Sequence, residues 1–390
     1  MIGYRLRTFR EAFEMLRILE RDQEDLNTLL KLQMLLIEEI QRIETKIRTC
    51  KHELSTGALA APREKWLNTR IASLRKLRWL WKCFGDGAAF IYVDKHALKH
   101  VYFDTRTVNP KQDAGFMSGK DGLQGELALV RTLIQEGVPA VLSDLTNTIR
   151  HGDVTILLGP DPYPIEVKSR KKLNPRGKRQ KQQLGTIHNF FRTDKADNLR
   201  GMGSTTIRVE HDIPEVNYIR ELNICLEEAG TRGLSSISPE PGLVYIAIAD
   251  SEVRISDLLK FNGRGLVLAL NLFKSDMIWE PYLPFMLTIR SFEHLMGFIR
   301  GSLFVVVTLD LDAFCEAAAE FGLRASITNS WDDDYAVRFT LPDGTDAGAL
   351  SSNFLHRIGF EFVSPRWVSE YVASICRRHQ ELGVAQDMTP

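Results

Sequence analysis

Residues 153–168 carry an acid, a turn-rich gap and a second acid paired with a base. Asp153 opens the run DVTILL, GPDPYP follows at 159–164, and IEVKSR then supplies Glu166 and Lys168. In IEVKSR the apolar Ile165 and Val167 alternate with Glu166 and Lys168, so a strand here sends the acid and the base to one face. The Gly and Pro residues of the gap reverse the chain, and a hairpin brings Asp153 within reach of Glu166. Two converging carboxylates repel each other unless a cation lies between them, and hard oxygen ligands suit Mg²⁺, with Mn²⁺ as a substitute. Such a cation acidifies water and takes up charge on a phosphodiester, while the Lys168 ammonium orients the water.

A third carboxylate precedes this segment. Glu126 lies in GELALVRTLIQEG, an amphipathic helix expected to bury Leu129, Val130 and Leu133, and the adjacent Gly125 would permit close approach to the sheet. The expected metal ligands are Asp153, Glu166 and Val167, with Glu126 completing the shell directly or through water.

The order of these elements resembles the PD-(D/E)XK nuclease superfamily, in which a Glu-bearing helix precedes an Asp and a Glu-x-Lys strand. The matching positions are Glu126, Asp153, Glu166 and Lys168, and the similarity covers about residues 121–200. Gly152 stands where the family has Pro, a position that supplies no ligand. The resemblance implies a restriction-endonuclease-like mixed sheet flanked by helices. It also implies in-line attack of water on a phosphodiester, leaving a 5′-phosphate and a 3′-hydroxyl. Some members carry a functional Gln after the Lys strand. Gln183 is the nearest match, although Ile187 stands where one subgroup has Tyr.

Downstream of Glu166 the chain is locally cationic. Lys168, Arg170, Lys171, Lys172, Arg176, Lys178, Arg179 and Lys181 follow one another with no acid among them. Phosphate neutralisation by such residues gives salt-dependent, largely sequence-independent affinity. DNA is the expected partner, with RNA not excluded. The competing view is a solvated loop, which LNPRGK resembles. His188, on the next helix among aromatics, reads as a packed residue, and the adjacent Asp332, Asp333 and Asp334 read as a solvated turn.

These residues need a scaffold. Leu29, Leu32, Leu36, Ile40, Ile43 and Ile47 form one stripe of a long helix beginning near residue 10. Leu67, Ile71, Leu74, Leu77 and Trp81 keep the same spacing after a Ser-Thr-Gly loop, so an antiparallel helical hairpin is expected. The stripes could instead serve a homo-oligomer or a protein partner; packing within the chain needs fewer assumptions. Gly85 and Asp86 read as a helix stop and a new N-cap. From residue 121 the pattern becomes helix, strand, strand, helix, an α/β arrangement. Beyond Gly201 a helix is expected over Glu215–Glu228, with strands VYIAIA at 244–249 and LFVVVTLDL at 303–311. The expected division is an N-terminal helical region at 1–110, a nuclease-like α/β domain at 111–275 and an α+β region at 276–390.

Bulk properties narrow the setting. With 390 residues and a formal net charge of +0, nucleic-acid affinity must come from local patches. The five cysteines are scattered without a CxxC pair, which fits reduced thiols in a cytoplasm. No segment has the apolar length of a signal peptide or a membrane span, so no membrane association is expected. A metal-dependent DNA endonuclease is the expected function, and a role in bacterial antiphage defence or DNA processing follows by analogy of architecture alone. The alternative is a non-catalytic nucleic-acid-binding scaffold that recruits a partner through its N-terminal helices.

Overall fold

The computed structural model describes residues 5–57, 59–113, 115–120, 122–167, 175–209, 213–249, 263–328 and 335–381, with the side chains of Arg176 and of 379–381 excluded. The chain forms two compact units, Met1–Met202 and Gly203–Pro390. The helical region expected at 1–110 and the first part of the segment expected at 111–275 thus share one unit. The described residues combine helices with four small antiparallel sheets.

The first unit begins with three helices, α1 (Leu6–Arg21), α2 (Leu26–Ser55) and α3 (Ala61–Tyr92). The single long helix expected from residue 10 is interrupted after Arg21. Asp25 caps α2, its carboxylate accepting the Thr28 N–H at 3.0 Å, and such a cap marks a helix start. The stripe of α2 is fully buried as its spacing requires, and α2 packs along α3 as the hairpin reading anticipated.

The expected stop at Gly85-Asp86 is absent, because α3 continues to Tyr92. Both glycines of this stretch serve packing. A Cβ on Gly85 would lie 2.0 Å from the Leu145 carbonyl oxygen, and one on Gly87 would lie 2.9 Å from Leu16. Nor is Asp86 an N-cap of a new helix. It is buried and accepts the N–H groups of Asn147 and Thr148 at 2.9 and 2.8 Å, plus the Asn147 amide at 2.9 Å. Burial pushes its carboxyl up to about 6 against those hydrogen bonds.

Next come α4 (Lys95–Leu98), α5 (Leu123–Gln135) and a three-stranded antiparallel sheet, ordered β1 (Ala140–Leu142), β2 (Val154–Ile156), β3 (Tyr163–Ile165). Every pairing in it is antiparallel among the described residues, whereas a mixed sheet was expected. The strands are also short, three residues each, against the six or so that the apolar runs suggested. β2 and β3 form the anticipated hairpin, with Val154 opposite Ile165. α6 (Pro175–Thr193) follows and packs on β3.

The free edge of β1 is satisfied by a side chain. Gln33, buried on α2, donates to the Ala140 carbonyl at 2.9 Å and accepts the Leu142 N–H at 3.0 Å, imitating a neighbouring strand. Glu44 of α2, also buried, accepts the N–H groups of Met117 and Ser118 at 3.2 and 2.8 Å and pairs with Arg78 of α3 at 2.8 Å. Two N-terminal helices thereby fix the segment leading into α5 and the edge of the sheet.

In the second unit the expected helix runs over Ile219–Arg232 and packs on a four-stranded sheet. Its strands β4 (Leu234–Glu240), β5 (Leu243–Ile248), β6 (Gly265–Ala269) and β7 (Phe304–Asp310) lie in the order β4-β5-β7-β6. VYIAIA and LFVVVTLDL are direct antiparallel neighbours, Tyr245 opposite Val307, around a core of Ile246, Ile248 and Val306. They build this sheet rather than extend β1–β3. A smaller three-stranded sheet comprises β8 (Arg324–Ile327), β9 (Val337–Thr340) and β10 (Asp346–Leu350), and Asp332–Asp334 lie outside the described residues.

Candidate metal centre

Asp153 occupies the last position before β2, and its backbone is clamped on both sides. Its N–H donates to Ile165 O at 2.8 Å, and its carbonyl accepts the Ser143 N–H at 3.0 Å. The residue before it, Gly152, has φ +73°, and a Cβ there would lie 2.9 Å from both N and O of Ile165. Proline, fixed near φ −65°, cannot adopt this conformation, so the departure from the family pattern is a requirement of the local backbone. The Asp153 carboxylate accepts the Val167 N–H at 2.9 Å, which draws the end of β3 over it. Glu166 precedes Val167, and its side chain is close enough to act on the Asp153 carboxyl.

Glu126 enters from α5. Leu123, Leu127, Val130 and Ile134 form the buried stripe of that helix, and Glu126 shares its buried face; Leu129 and Leu133, expected in the stripe, are half-buried. The helix approaches β3 with room to spare at Gly125, where a Cβ would sit 4.0 Å from Val167, so the glycine is not needed for that approach. Glu126 is only 6% exposed, and its carboxylate has no hydrogen bond or ion pair among the described residues. Burial, reinforced by the charges of Asp153, Asp144 and Glu166, pushes its carboxyl up to about 7, while Lys120 opposes the rise. The Asp153 carboxyl is raised by burial and by Asp144, against the Val167 N–H and Lys120.

Asp144 and Lys120 were not anticipated. Asp144 lies on a 3₁₀ turn, Ser143–Leu145, that directly follows β1, and its carboxylate forms an ion pair with the Lys120 ammonium. The signal for Asp144 was present: PAVLSD, an apolar run ending in an acid between the Glu126 helix and DVTILL, has the same form as the neighbouring strands. Lys120 sits in SGKDG, a loop without periodicity, and nothing in the sequence points to it.

Asp153 and Glu166 thus act on Glu126 through their charges, and the Val167 N–H bonds Asp153, but among the described residues no three carboxylates of this cluster bring their oxygens within 4.8 Å of one another. Lys168 and the basic residues Arg170, Lys171 and Lys172 lie outside the described residues, as does the Arg176 side chain. Lys178, Arg179 and Lys181 are exposed on α6. Gln183 is not directed to the carboxylates: it is buried, and its amide donates to Asp104 at 3.1 Å. His188 packs as its surroundings suggested, Nε2 donating to Pro164 O at 2.8 Å and the ring stacked on Tyr163 at 4.1 Å.

Asp144, Asp153 and Glu166 lie within electrostatic range of Glu126, and carboxylate oxygens are ligands for a hard divalent cation, although such an ion would have to draw these acids closer together than they lie here.

No helix among the described residues is long and apolar enough to cross a membrane. Comparison of the chain with protein-family models, with curated proteins and with solved structures finds no match.

Proposed function

We propose that the chain is a metal-dependent nuclease that hydrolyses phosphodiester bonds of DNA at the centre formed by Glu126, Asp153 and Glu166. The observation that carries this reading is the buried Glu126 carboxylate, without a hydrogen bond among the described residues and set against two further acids from an adjoining hairpin. The succession of α5, the β2-β3 hairpin and α6 supports the resemblance to the restriction-endonuclease-like fold.

Glu126, Asp153, Glu166 and the Val167 carbonyl would hold Mg²⁺ or Mn²⁺, which when bound supplies charge for the phosphodiester and acidifies nearby water. The protein's own part is positional. The Val167 N–H fixes one Asp153 oxygen, Gly152 lets β2 and β3 approach at that point, and the buried face of α5 holds the Glu126 side chain beside them. Lys168, two residues beyond Glu166, is assigned the role of orienting the attacking water.

The cationic run after Glu166 directs the choice of substrate toward a polyanion, with Lys178, Arg179 and Lys181 exposed for phosphate contact. Those exposed residues also support the alternative of a non-catalytic nucleic-acid-binding scaffold. Incubating the purified protein with linear, circular, single-stranded and RNA substrates in Mg²⁺ or Mn²⁺ separates the two. Cutting that disappears in Asp153→Ala, Glu166→Ala and Lys168→Ala supports the nuclease. Salt-sensitive binding without turnover supports the scaffold.

A further inference from the structure

The solvent side of the α2–α3 hairpin carries positive charge that neither helix packing nor the candidate metal centre uses. From Ala61 to Phe84 the chain sets seven basic residues against one acid, Glu64. Arg5 beside α1, Arg42 and Lys46 on α2 and Arg70 on α3 gather at one place, where the Lys46 ammonium lies within electrostatic range of all three guanidinium groups. The carboxylate that reaches into this group is buried Glu39, which pairs with Arg5 at 2.8 Å and with Arg42. Lys46 and Arg70 have no hydrogen bond or ion pair among the described residues. Burial, then the charges of Arg42, Arg70 and Arg5, lower the affinity of Lys46 for its proton, and Glu39 opposes them. Arg42 and Lys46, one helical turn apart, already repel each other, so the free fold bears a cost that a bound anion removes.

The same face continues toward the turn of the hairpin. Arg63, Trp66 and Arg70 follow at three- and four-residue steps and share one side of α3. Arg63 is held by Glu53 of α2 through hydrogen bonds of 2.6 and 2.9 Å, and its guanidinium lies 4.4 Å from the centre of the Trp66 ring. The indole is nevertheless 50% exposed, on a helix whose other large apolar side chains are buried or half-buried. A positioned ring beside a row of cations suits a single nucleic-acid strand, whose phosphates meet the cations while a base stacks on the ring. A membrane surface asks for several insertable apolar side chains, and on this helix Trp66 stands alone.

We propose that this face of the α2–α3 hairpin is a second nucleic-acid-binding surface, on which Arg5, Arg42, Lys46 and Arg70 hold backbone phosphate and Trp66 receives an unpaired base. Arg42 commits Nε and one terminal nitrogen to Glu39, which fixes the plane of its guanidinium and leaves the other terminal nitrogen for a phosphate oxygen. Lys46 and Arg70 supply the charges that no acid of the protein neutralises. None of these residues belongs to the candidate metal centre or to α6, and binding here requires no metal.

The test is fluorescence anisotropy of a labelled single-stranded oligothymidylate with the full chain in chelator, over a series of salt concentrations, with phosphatidylserine vesicles as a second probe. Lys46→Gln/Arg70→Gln binds the oligonucleotide about tenfold more weakly or worse, and the slope of log affinity against log salt shrinks by about 1.4 for two lost phosphate contacts. Trp66→Ala loses about fivefold or more with its salt slope unchanged, and Trp66→Phe recovers most of that loss. The double variant melts no earlier than the parent, because it removes mutual repulsion and no ion pair. Unchanged oligonucleotide affinity in Lys46→Gln/Arg70→Gln or in Trp66→Ala overturns the proposal and assigns strand binding to α6. Variants that lose vesicle binding and keep oligonucleotide binding overturn it in favour of a membrane surface. Absence of oligonucleotide binding by the parent overturns it outright, and because the measurement is made in chelator, failure of the metal centre leaves every one of these outcomes unaffected.

Discussion

Glu126 gives the sharpest quantitative prediction, because a residue poised for a metal should harm the metal-free fold. Its carboxyl is raised from an ordinary 4.5 to about 7 by burial and by Asp153 and Asp144. Between those values the folded chain holds a proton that the unfolded chain has released, so this group's contribution to stability falls as pH rises from about 4.5 to 7. Each tenfold change in proton affinity is worth about 1.4 kcal/mol, so ionising Glu126 in the fold costs on the order of 3 kcal/mol above pH 7. Relaxation of the site lowers the net figure to about 1–3 kcal/mol. Glu126→Gln removes the charge at nearly constant shape. In chelator at pH 8 the variant should be more stable than the parent by that amount, roughly 2–4 °C in melting temperature per kcal/mol. At pH 4, where the parent carboxyl is protonated, the two should melt together. With Mn²⁺ the order should reverse, since the variant has lost a ligand. A Glu126→Gln protein less stable than the parent in chelator at pH 8, or one whose stability difference does not change with pH, would refute this reasoning.

The remaining predictions concern the site's chemistry and its supports. Metal binding must displace the Glu126 proton, so cleavage under subsaturating metal should rise with pH and level off above about pH 7; calorimetry in buffers of different ionisation enthalpy at pH 6 should show proton release on Mn²⁺ binding, and none would count against Glu126 as a ligand. Gly152→Ala forces a Cβ into the Ile165 backbone at positive φ, and should cost about 2–3 kcal/mol in denaturant unfolding together with most of the activity. A fully active Gly152→Ala protein would mean that Asp153 does not depend on that approach. Gln33→Leu leaves the Ala140 carbonyl and the Leu142 N–H without their partner, and should destabilise the first unit by about 2–4 kcal/mol, measured in the same way.

What could be read in advance was what depends on local periodicity. The Leu29-to-Ile47 stripe gave α2, the alternation in IEVKSR and the GPDPYP turn gave the β2-β3 hairpin, and those features alone bring Asp153 to Glu166. What escaped depends on contacts between distant segments. Gly85 looks like a helix stop until the Leu145 carbonyl is seen against it, and Asp86 looks like a cap until Asn147 and Thr148 arrive. Gln33 interrupts an apolar stripe for a reason visible only once β1 lies beside α2. Lys120 joins the centre because Glu44, some seventy residues before it, holds its segment in place. The Asp25 cap escaped as well, because the Leu29-to-Ile47 stripe fixes the buried face of α2 but not the point at which the helix begins.

The most direct test of the metal-dependent nuclease is cleavage of DNA by the parent and by Asp153→Asn, with each protein shown to be folded by its melting curve. The parent should cut in Mg²⁺ or Mn²⁺ and stop when chelator is added, and Asp153→Asn should lose at least a hundredfold in rate. No cutting by the folded parent in either metal, or undiminished cutting by Asp153→Asn, would contradict the account.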